Sequence, residues 1–500
     1  MISKLINKTR FTQKPIVLLS LIVFAFINLA IVLINHYSFR TVALDYAIYN
    51  FAFFDYAHLR ISPCPAYIYP FPASFFQDHF SLTLLFLSPL YWLMAPIFGT
   101  YSLLILQWLF ILAGSWATYK LIATKSGNYT YGLAAMIYYF LLLGRYTAYR
   151  EDVNLAILGS SMIPVFLYFF ETKRFYPATF SFIFLLLNRE DYSLWLIFIG
   201  IFLMIRHRKN PIEFRLSSGI TILSALFFVS IFVFIFPAIE DEHKKFALFN
   251  YAIIGETPME ALKFLFQHPL RAIELLFVNH NENPYYDGIK KEFYLVYLLS
   301  GGFILLLRPL YLIPLLPLLA KKMYDDNPLR WSVETYYSIE FVSILPVCVF
   351  LILLELQSSK LKTTLIWFIC LASLLVTLVR LFIPFSNPIV GEANKSNFLS
   401  PAFYHTGCDV PAINAALNRI PKNAAVCASC RLLPHLAYRE KVYYFPKIND
   451  ADFICLLKRG DAYPLTTAEY DLEWNKLLFN KEWKVLENKT DFILLQRIPN

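Results

Sequence analysis

Acidic residues beside cations or aromatic residues recur near the ends of the long apolar runs of this sequence. They lie in three places, which are Asp45, the stretch Arg150-Glu151-Asp152 and the stretch Arg189-Glu190-Asp191. A carboxylate can accept a proton from an attacking hydroxyl group or bind a metal ion, and an arginine can pair with a phosphate. The residue types therefore predict acid–base chemistry next to a phosphate group.

Each of these stretches could also be an ordinary solvated turn in which the arginine neutralises its neighbours. Three together favour a functional role, because ionisable groups at membrane depth are costly and often functional. His36, His58 and His79 precede the next long apolar runs, but their spacing fits no metal-site pattern and HExxH is absent. We interpret them as residues that lie at an interface or contact a donor substrate. P-loop and GxGxxG patterns are also absent, which argues against nucleotide-driven chemistry.

The composition places these residues in a membrane protein. Of the 500 residues, 58% are hydrophobic and 16% are charged, whereas soluble domains are about 25% charged. The net charge is +9, but Lys and Arg occur in short clusters between apolar runs. Such clusters indicate membrane topology and not a nucleic-acid surface.

A membrane-spanning helix needs about 20 mostly apolar residues, and this template predicts about eleven spans. The predicted spans are residues 16–35, 101–119, 130–146, 154–170, 175–188, 191–205, 216–236, 293–307, 309–323, 338–355 and 363–383. The first is interpreted as an uncleaved anchor. Phe80–Phe98 is predicted to lie along the outer surface, since letting it span would move basic loops outside. The N-terminus is then cytoplasmic, in what we expect to be a bacterial inner membrane.

This topology predicts two parts, a membrane module of residues 1–383 and an extracytoplasmic domain of residues 384–500. External loops cover residues 36–100, with juxtamembrane helices, and 237–292, where Met259–Phe277 has the spacing of a surface-lying amphipathic helix. The tail alternates short apolar runs with helical patterns and predicts a small α/β domain. The runs are Ala424–Ala428, Val442–Phe445, Phe453–Leu457 and Phe492–Leu495, and the helical patterns are Val410–Ile420 and Thr467–Leu478. Its Cys427 and Cys430 form a CxxC that could close a disulfide or, less often, do redox work.

Two sets of landmarks carry a family resemblance. The order of Leu44-Asp45-Tyr46, Ser88–Leu93 and the turn with Glu151 and Asp152 resembles the GT-C superfamily of polytopic glycosyltransferases. More closely, the chain resembles a family of predicted membrane proteins, domain of unknown function 2079. The stretches that carry this second resemblance are Asp45–Asp55, Asp78–Ser81, Gln107, Asn188–Asp191, Gly255–Pro269 and Ile420–Arg439.

The GT-C resemblance implies a helix bundle of that type, which transfers a sugar from a polyprenyl-phosphate donor to a glycan, lipid or protein acceptor outside the membrane. Asp45 would be the base, and Glu151 or Asp152 would orient the acceptor. Residues implied at the donor and its phosphate are His79, Arg150, Arg189, Glu190 and Asp191, with Lys321, Lys322 and Arg330 in reserve. The resemblance leaves a divalent cation, Mg²⁺ or Mn²⁺, open, and implies no nucleic-acid partner.

Two other functions stay open at this point. Many spans and charges at helix ends would also suit a transporter or flippase of a lipid-linked or anionic substrate, although matching broken helices in two halves are not evident. A scaffold whose tail binds a partner is the third possibility.

Overall fold

The computed structural model describes residues 2–67, 74–149, 152–239, 249–383, 397–458 and 460–498. It is mainly helical, with one small sheet near the C-terminus. The α-helices are α1 (Ile2–Tyr37), α2 (Ile48–Ala57), α3 (Phe75–Asp78), α4 (Leu82–Phe98), α5 (Ser102–Ser126), α6 (Tyr129–Leu141), α7 (Leu143–Tyr149), α8 (Leu155–Glu171), α9 (Phe175–Leu186), α10 (Tyr192–Arg206), α11 (Pro211–Ser230), α12 (Phe236–Ile239), α13 (Pro258–Gln267), α14 (Pro269–Leu275), α15 (Ile289–Leu299), α16 (Leu316–Met323), α17 (Pro328–Trp331), α18 (Ile339–Glu355), α19 (Ser359–Phe382), α20 (Val410–Leu417), α21 (Leu433–Leu436) and α22 (Thr467–Phe479). The strands are β1 (Val426–Ala428), β2 (Val442–Tyr444), β3 (Phe453–Leu457), β4 (Trp483–Asn488) and β5 (Phe492–Arg497).

All the predicted spans fall on helical structure, but among the described residues five stretches are long and apolar enough to cross a membrane. These are Pro15–Tyr37, Leu82–Ser126, Pro211–Ile239, Tyr336–Glu355 and Ser359–Phe382. Helices α8, α9 and α10 are apolar but shorter. The chain is therefore an apolar, helical membrane protein, and the count of eleven spans stays a prediction.

The predicted spans 293–307 and 309–323 differ most from regular helices. After α15 the chain turns at Gly301, whose φ is 106°, and continues as two 3₁₀ segments, Gly302–Leu307 and Pro309–Leu315. Pro309 and Pro314 lack the N–H that an α-helix would use. Apolar composition alone does not reveal this break.

The described chain forms two compact units, and the first comprises residues 1–29, 108–150 and 155–397. Its centre is α18, which is buried along nearly its whole length and packs against α6, α7, α8 and α19. A helix that is apolar on all sides is typical of such a position. Gly114 lets α5 and α8 meet closely, because a Cβ there would lie 2.4 Å from the Ser161 carbonyl oxygen.

The second unit comprises residues 30–107, 151–154 and 398–500. In this unit, helices α2 and α4 of the first predicted loop pack against each other. The sheet of the tail belongs to the same unit. The strand order is β2-β1-β3-β5-β4, with β1 parallel to both β2 and β3, and β5 antiparallel to both β3 and β4. The predicted boundary between the two parts of the chain, at 383 and 384, borders residues outside the described ranges.

The small sheet agrees with the strands predicted for the tail, and β3 has its predicted bounds. Strand β4 is missing from the prediction, since it shows no regular alternation of buried apolar residues. Trp483 is buried in the domain core, whereas Lys484 and Val485 are exposed. Helix α22 begins with a capping box between Thr466 and Glu469.

The predicted single helix Met259–Phe277 is wrong in one respect, because the structure divides it into α13 and α14. The break comes at His268, directly before Pro269, whose ring cannot continue a helix. Several large apolar side chains on these helices remain exposed, namely Met259, Leu262, Phe266, Leu270, Ile273 and Phe277. This exposure agrees with a membrane-surface position for the segment.

Candidate functional site

Asp45 lies in a π-helical turn, Ala43–Ala47, between α1 and α2. Val42 before it is extended, and the turn runs directly into α2. Tyr46 is buried and its hydroxyl donates to the Thr100 carbonyl oxygen, while Asp45 is only partly buried. Single π-helical turns occur often at functional sites, because they change the direction of one side chain within a helix.

Asp152 is brought to the same turn. Its carboxylate Oδ2 accepts a hydrogen bond of 2.7 Å from the Val42 backbone N–H, three residues before Asp45. Asp152 is buried and has a φ of 63°, a left-handed conformation that Asp and Asn adopt more readily than most residues. Two acidic residues that the sequence singled out are therefore close together. Arg150 and Glu151 lie outside the described residues.

Gln107 fixes the backbone around Asp152. Its amide nitrogen donates to the Asp152 carbonyl oxygen at 3.1 Å, and its amide oxygen accepts from the Asn154 N–H at 3.0 Å. Gln107 is buried, so each of these bonds forms away from water. Only the family resemblance pointed to Gln107 before the structure was known.

The tail domain packs against the Asp45 turn through α21 and the segment before it. Burial raises the pKa of the Cys430 thiol to about 11, although the nearby Ala43 backbone acts in the opposite direction. The His435 ring stacks on His36, with centroids 4.0 Å apart and an angle of 8° between the rings. Cys427 and Cys430 are both free thiols, so the CxxC is not a disulfide in this structure.

Other polar residues of the first loop have partners that stabilise the loop itself. Asp55 is buried, accepts from the Ser62 N–H at 2.6 Å and pairs with Arg60 at 3.2 Å. Asp78 accepts from the Tyr67 hydroxyl at 3.2 Å. His79 is partly buried and its ring lies 6.2 Å from that of Phe75. A donor-contact role for His79 stays a prediction.

The first unit contains a second polar cluster, formed by Arg189, Asp191, Lys321 and Glu340. Arg189 donates to both oxygens of Asp191 at 2.6 Å, and Lys321 contacts Asp191 at 2.9 Å and Glu340 at 2.7 Å. Arg189 and Glu340 are buried, while Asp191 and Lys321 are partly exposed. Two cations thus face two carboxylates, and the charges match.

The remaining predicted residues of this unit have other contacts. Glu190 is buried, and its carbonyl oxygen accepts from the Ser193 hydroxyl. Lys322 donates to the Ser332 carbonyl oxygen, and Arg330 pairs with Asp325 at 2.6 Å. Glu340 was not predicted from the sequence. Its position, a carboxylate at the start of a long apolar run, could have marked it as a candidate functional residue.

Within the described residues, no group of three or more His, Cys, Asp or Glu side chains has the arrangement of a metal site. The divalent ion that the GT-C resemblance leaves open stays a prediction.

A model of the predicted membrane proteins DUF2079 matches residues 35–482. The chain belongs to the DUF2079 family. This match confirms the closer of the two resemblances seen in the sequence, and it includes Asp45, Asp152, the Arg189 cluster and most of the tail. The DUF2079 description concerns membrane location and states no reaction. No curated protein matches the chain.

Proposed function

We propose that this DUF2079 protein is a membrane glycosyltransferase that uses a polyprenyl-phosphate-linked sugar on the extracytoplasmic face. The observation that carries the proposal is the hydrogen bond from Val42 to the Asp152 carboxylate, which fixes the turn bearing Asp45. Two acidic positions that the GT-C resemblance implies thus meet in one compact unit. Nucleotide sugars are confined to the cytoplasm, so an outward-facing enzyme needs a donor held in the lipid.

In the proposed reaction Asp45 is the general base. The acceptor hydroxyl attacks the anomeric carbon and its proton passes to the Asp45 carboxylate. The new bond joins the anomeric carbon to the acceptor oxygen, and the bond from that carbon to the phosphate oxygen breaks. Prenyl phosphate leaves with the electron pair, and the configuration at the anomeric carbon inverts. General-base catalysis of this kind contributes about 10² to 10⁴ in rate.

Asp152 is assigned a positioning role in this proposal, since one of its oxygens is already bonded to the Val42 N–H. The tail residues that pack on the Asp45 turn are candidates for acceptor contacts. Arg189 and Lys321 remain candidates for the donor phosphate, but both already face carboxylates. A phosphate there would have to compete with Asp191 and Glu340.

The test uses the full chain in nanodiscs with a panel of radiolabelled polyprenyl-phosphate sugars. We expect sugar release or transfer by the wild type, and a loss of about 10² to 10⁴ in Asp45→Asn with unchanged thermal unfolding. Asp471→Asn is the matched control, because Asp471 is an exposed carboxylate on α22. Full activity in Asp45→Asn would overturn the role of Asp45.

The second candidate is a transporter or flippase of a lipid-linked or anionic substrate. It is favoured by the Arg189 cluster, since ionisable networks between apolar helices often mark substrate or proton pathways. Donor binding without turnover in the wild type, together with substrate flux in proteoliposomes that Glu340→Gln abolishes, would favour this function over glycosyl transfer.

A further inference from the structure

Arg145 is a fully buried cation in α7, with 0% of its surface exposed. Its Nη2 donates to the Val342 carbonyl oxygen over a long 3.4 Å, and its guanidinium lies 3.9 Å from the centre of the Tyr139 ring. Val342 can accept this bond because the residue four positions later is Pro346, which has no N–H to offer. The Nε and Nη1 atoms of Arg145 have no hydrogen-bond partner among the described residues.

The other buried basic residues of the described chain are all satisfied. Arg189 pairs with two carboxylates, and Lys290 donates to the carbonyl oxygens of Leu275 and Met323. Lys322 donates to the Ser332 carbonyl oxygen. Arg439 donates to three carbonyl oxygens, those of Leu436, Pro421 and Ala424. Among these buried lysines and arginines of the described chain, Arg145 alone has buried side-chain nitrogens without any hydrogen-bond partner.

Burying a charge without a partner is costly, even after the protein relaxes. A desolvated cation–π contact offsets only part of that cost. Arg145 therefore needs a further negative partner.

The surroundings of Arg145 offer further hydrogen-bond donors. The Tyr139 hydroxyl and the Ser161 hydroxyl are buried and also have no hydrogen-bond partner among the described residues. The Tyr139 hydroxyl and the Ser161 carbonyl oxygen lie 2.8 and 2.4 Å from where a Gly114 Cβ would be, which places the backbone of Ser161 near the Tyr139 hydroxyl. Donors without acceptors around an unpaired cation are what an oxyanion would satisfy.

We propose that Arg145, with the Tyr139 hydroxyl and Ser161, forms a binding site for a phosphate group. The inference rests on the proposed function in one respect, since the prenyl phosphate of that reaction is the first source of such a group. Inorganic phosphate has the same chemistry and is the other source. Because Arg145 is enclosed, binding should be slow.

The test measures thermal unfolding of the full chain in detergent with farnesyl phosphate, with farnesol, or with inorganic phosphate against chloride at equal ionic strength. We expect farnesyl phosphate to stabilise the wild type and farnesol not to. In Arg145→Met the dissociation constant should rise about 30-fold or more. Arg271→Gln, which changes an exposed arginine of α14, should bind like the wild type.

A separate expectation concerns the protein without ligand. Arg145→Met removes an unpaired buried charge and keeps the volume, so this variant should unfold at the same or a higher temperature. Arg145→Lys keeps the charge and should retain weakened phosphate binding. If Arg145→Met is less stable than the wild type but is stabilised by phosphate to the same extent, Arg145 has only a structural role and the site is overturned. The site is also overturned if neither farnesyl phosphate nor inorganic phosphate stabilises the wild type.

The outcomes separate the site from the proposed function. If inorganic phosphate alone stabilises through Arg145, the site stands with a free-phosphate source. If farnesyl phosphate binds through Arg145 while no donor sugar is ever transferred, the site stands and the glycosyltransferase proposal fails. If sugar transfer depends on Asp45 while phosphate binding is unchanged in Arg145→Met, the enzyme stands and the Arg145 site fails.

Discussion

The Asp152 carboxylate accepts a hydrogen bond of 2.7 Å from the backbone N–H of Val42. The two residues are far apart in sequence, yet this bond holds the chain just before the π-helical turn that carries Asp45. The bond to a charged acceptor inside a buried site is worth about 1.5 to 3 kcal/mol. It makes the position of Asp45 depend on the second acidic turn.

Substitutions at Asp152 should separate this hydrogen bond from the backbone conformation. Asp152→Asn keeps an acceptor oxygen and tolerates the φ of 63°, so it should lose the least stability and activity. Asp152→Gly suits the backbone but has no acceptor, and should lose about 1 to 3 kcal/mol. Asp152→Ala also strains the backbone and should lose the most. Thermal unfolding of the three variants gives the order, and equal values would show that the bond is unimportant.

Gln107 should be sensitive to the loss of its donor. In Gln107→Glu the side chain has the same shape but can no longer donate to the Asp152 carbonyl oxygen, and a charge is buried without a cation. We expect a loss of at least about 2 kcal/mol in the free energy of unfolding, and more than in Gln107→Met. A Gln107→Glu variant as stable as the wild type would contradict the role of this hydrogen bond.

Local patterns in the sequence were enough to predict most helices and four of the five strands. Thr467–Leu478 and Phe453–Leu457, for example, follow from periodicity and apolar runs. Three features needed more than periodicity. One is the break at Pro269, where proline chemistry competes with a helical pattern. The others are the turn at Gly301 after α15 and β4, whose buried residues do not alternate.

The site was harder to predict than the fold, because its partners are distant in sequence. Asp45 and Asp152 were chosen separately, and their connection through Val42 depends on tertiary structure. Glu340 completes the Arg189 cluster from a helix that reads only as an apolar span. Arg145 looks like an ordinary basic residue at the end of such a span. Arg145 is important because two of its side-chain nitrogens have no hydrogen-bond partner among the described residues. A sequence cannot reveal this.

Breaking the Arg189 cluster should cost more than breaking an exposed ion pair. Glu340 is buried and contacts both Lys321 and Arg189, so Glu340→Gln leaves two cations with one carboxylate. We expect a loss of about 3 to 5 kcal/mol in the free energy of unfolding. Glu274→Gln, which breaks the exposed pair with Arg271, should cost at most about 1 kcal/mol. Similar losses in both variants would contradict the buried character of the cluster.

Acid should destabilise the contact between His435 and His36. Burial is the main cause that lowers the pKa of His435 to about 3, whereas an unfolded histidine titrates near 6.5. The unfolded chain therefore gains a proton that the folded chain excludes as the pH falls from 6.5 towards 3. The contribution of His435 to the free energy of unfolding is fully present above pH 6.5. It should fall by about 1 to 2 kcal/mol by pH 5.

Two variants check the assignment of this acid sensitivity. His435→Phe keeps a ring stacked on His36 and cannot titrate, so its stability should change less between pH 7 and pH 5 than that of the wild type. His405→Phe changes an exposed histidine of the same domain and should retain the full change. If both variants behave like the wild type, the sensitivity has another source.

Tyr438 should help to fix the first loop from the side of the tail. Its ring packs edge-on against Phe54, with centroids 5.2 Å apart, and lies 6.0 Å from Tyr91. Each aromatic pair contributes about 0.5 to 1.5 kcal/mol beyond burial.

In Tyr438→Ala we therefore expect faster hydrogen exchange across Ala43–Ala57. Phe479→Ala, at an exposed position of α22, should leave this exchange unchanged. If the tail shapes the proposed site, Tyr438→Ala should also slow sugar transfer. Unchanged exchange in Tyr438→Ala would mean that other contacts, such as the pair between Arg60 and Glu440, hold the loop.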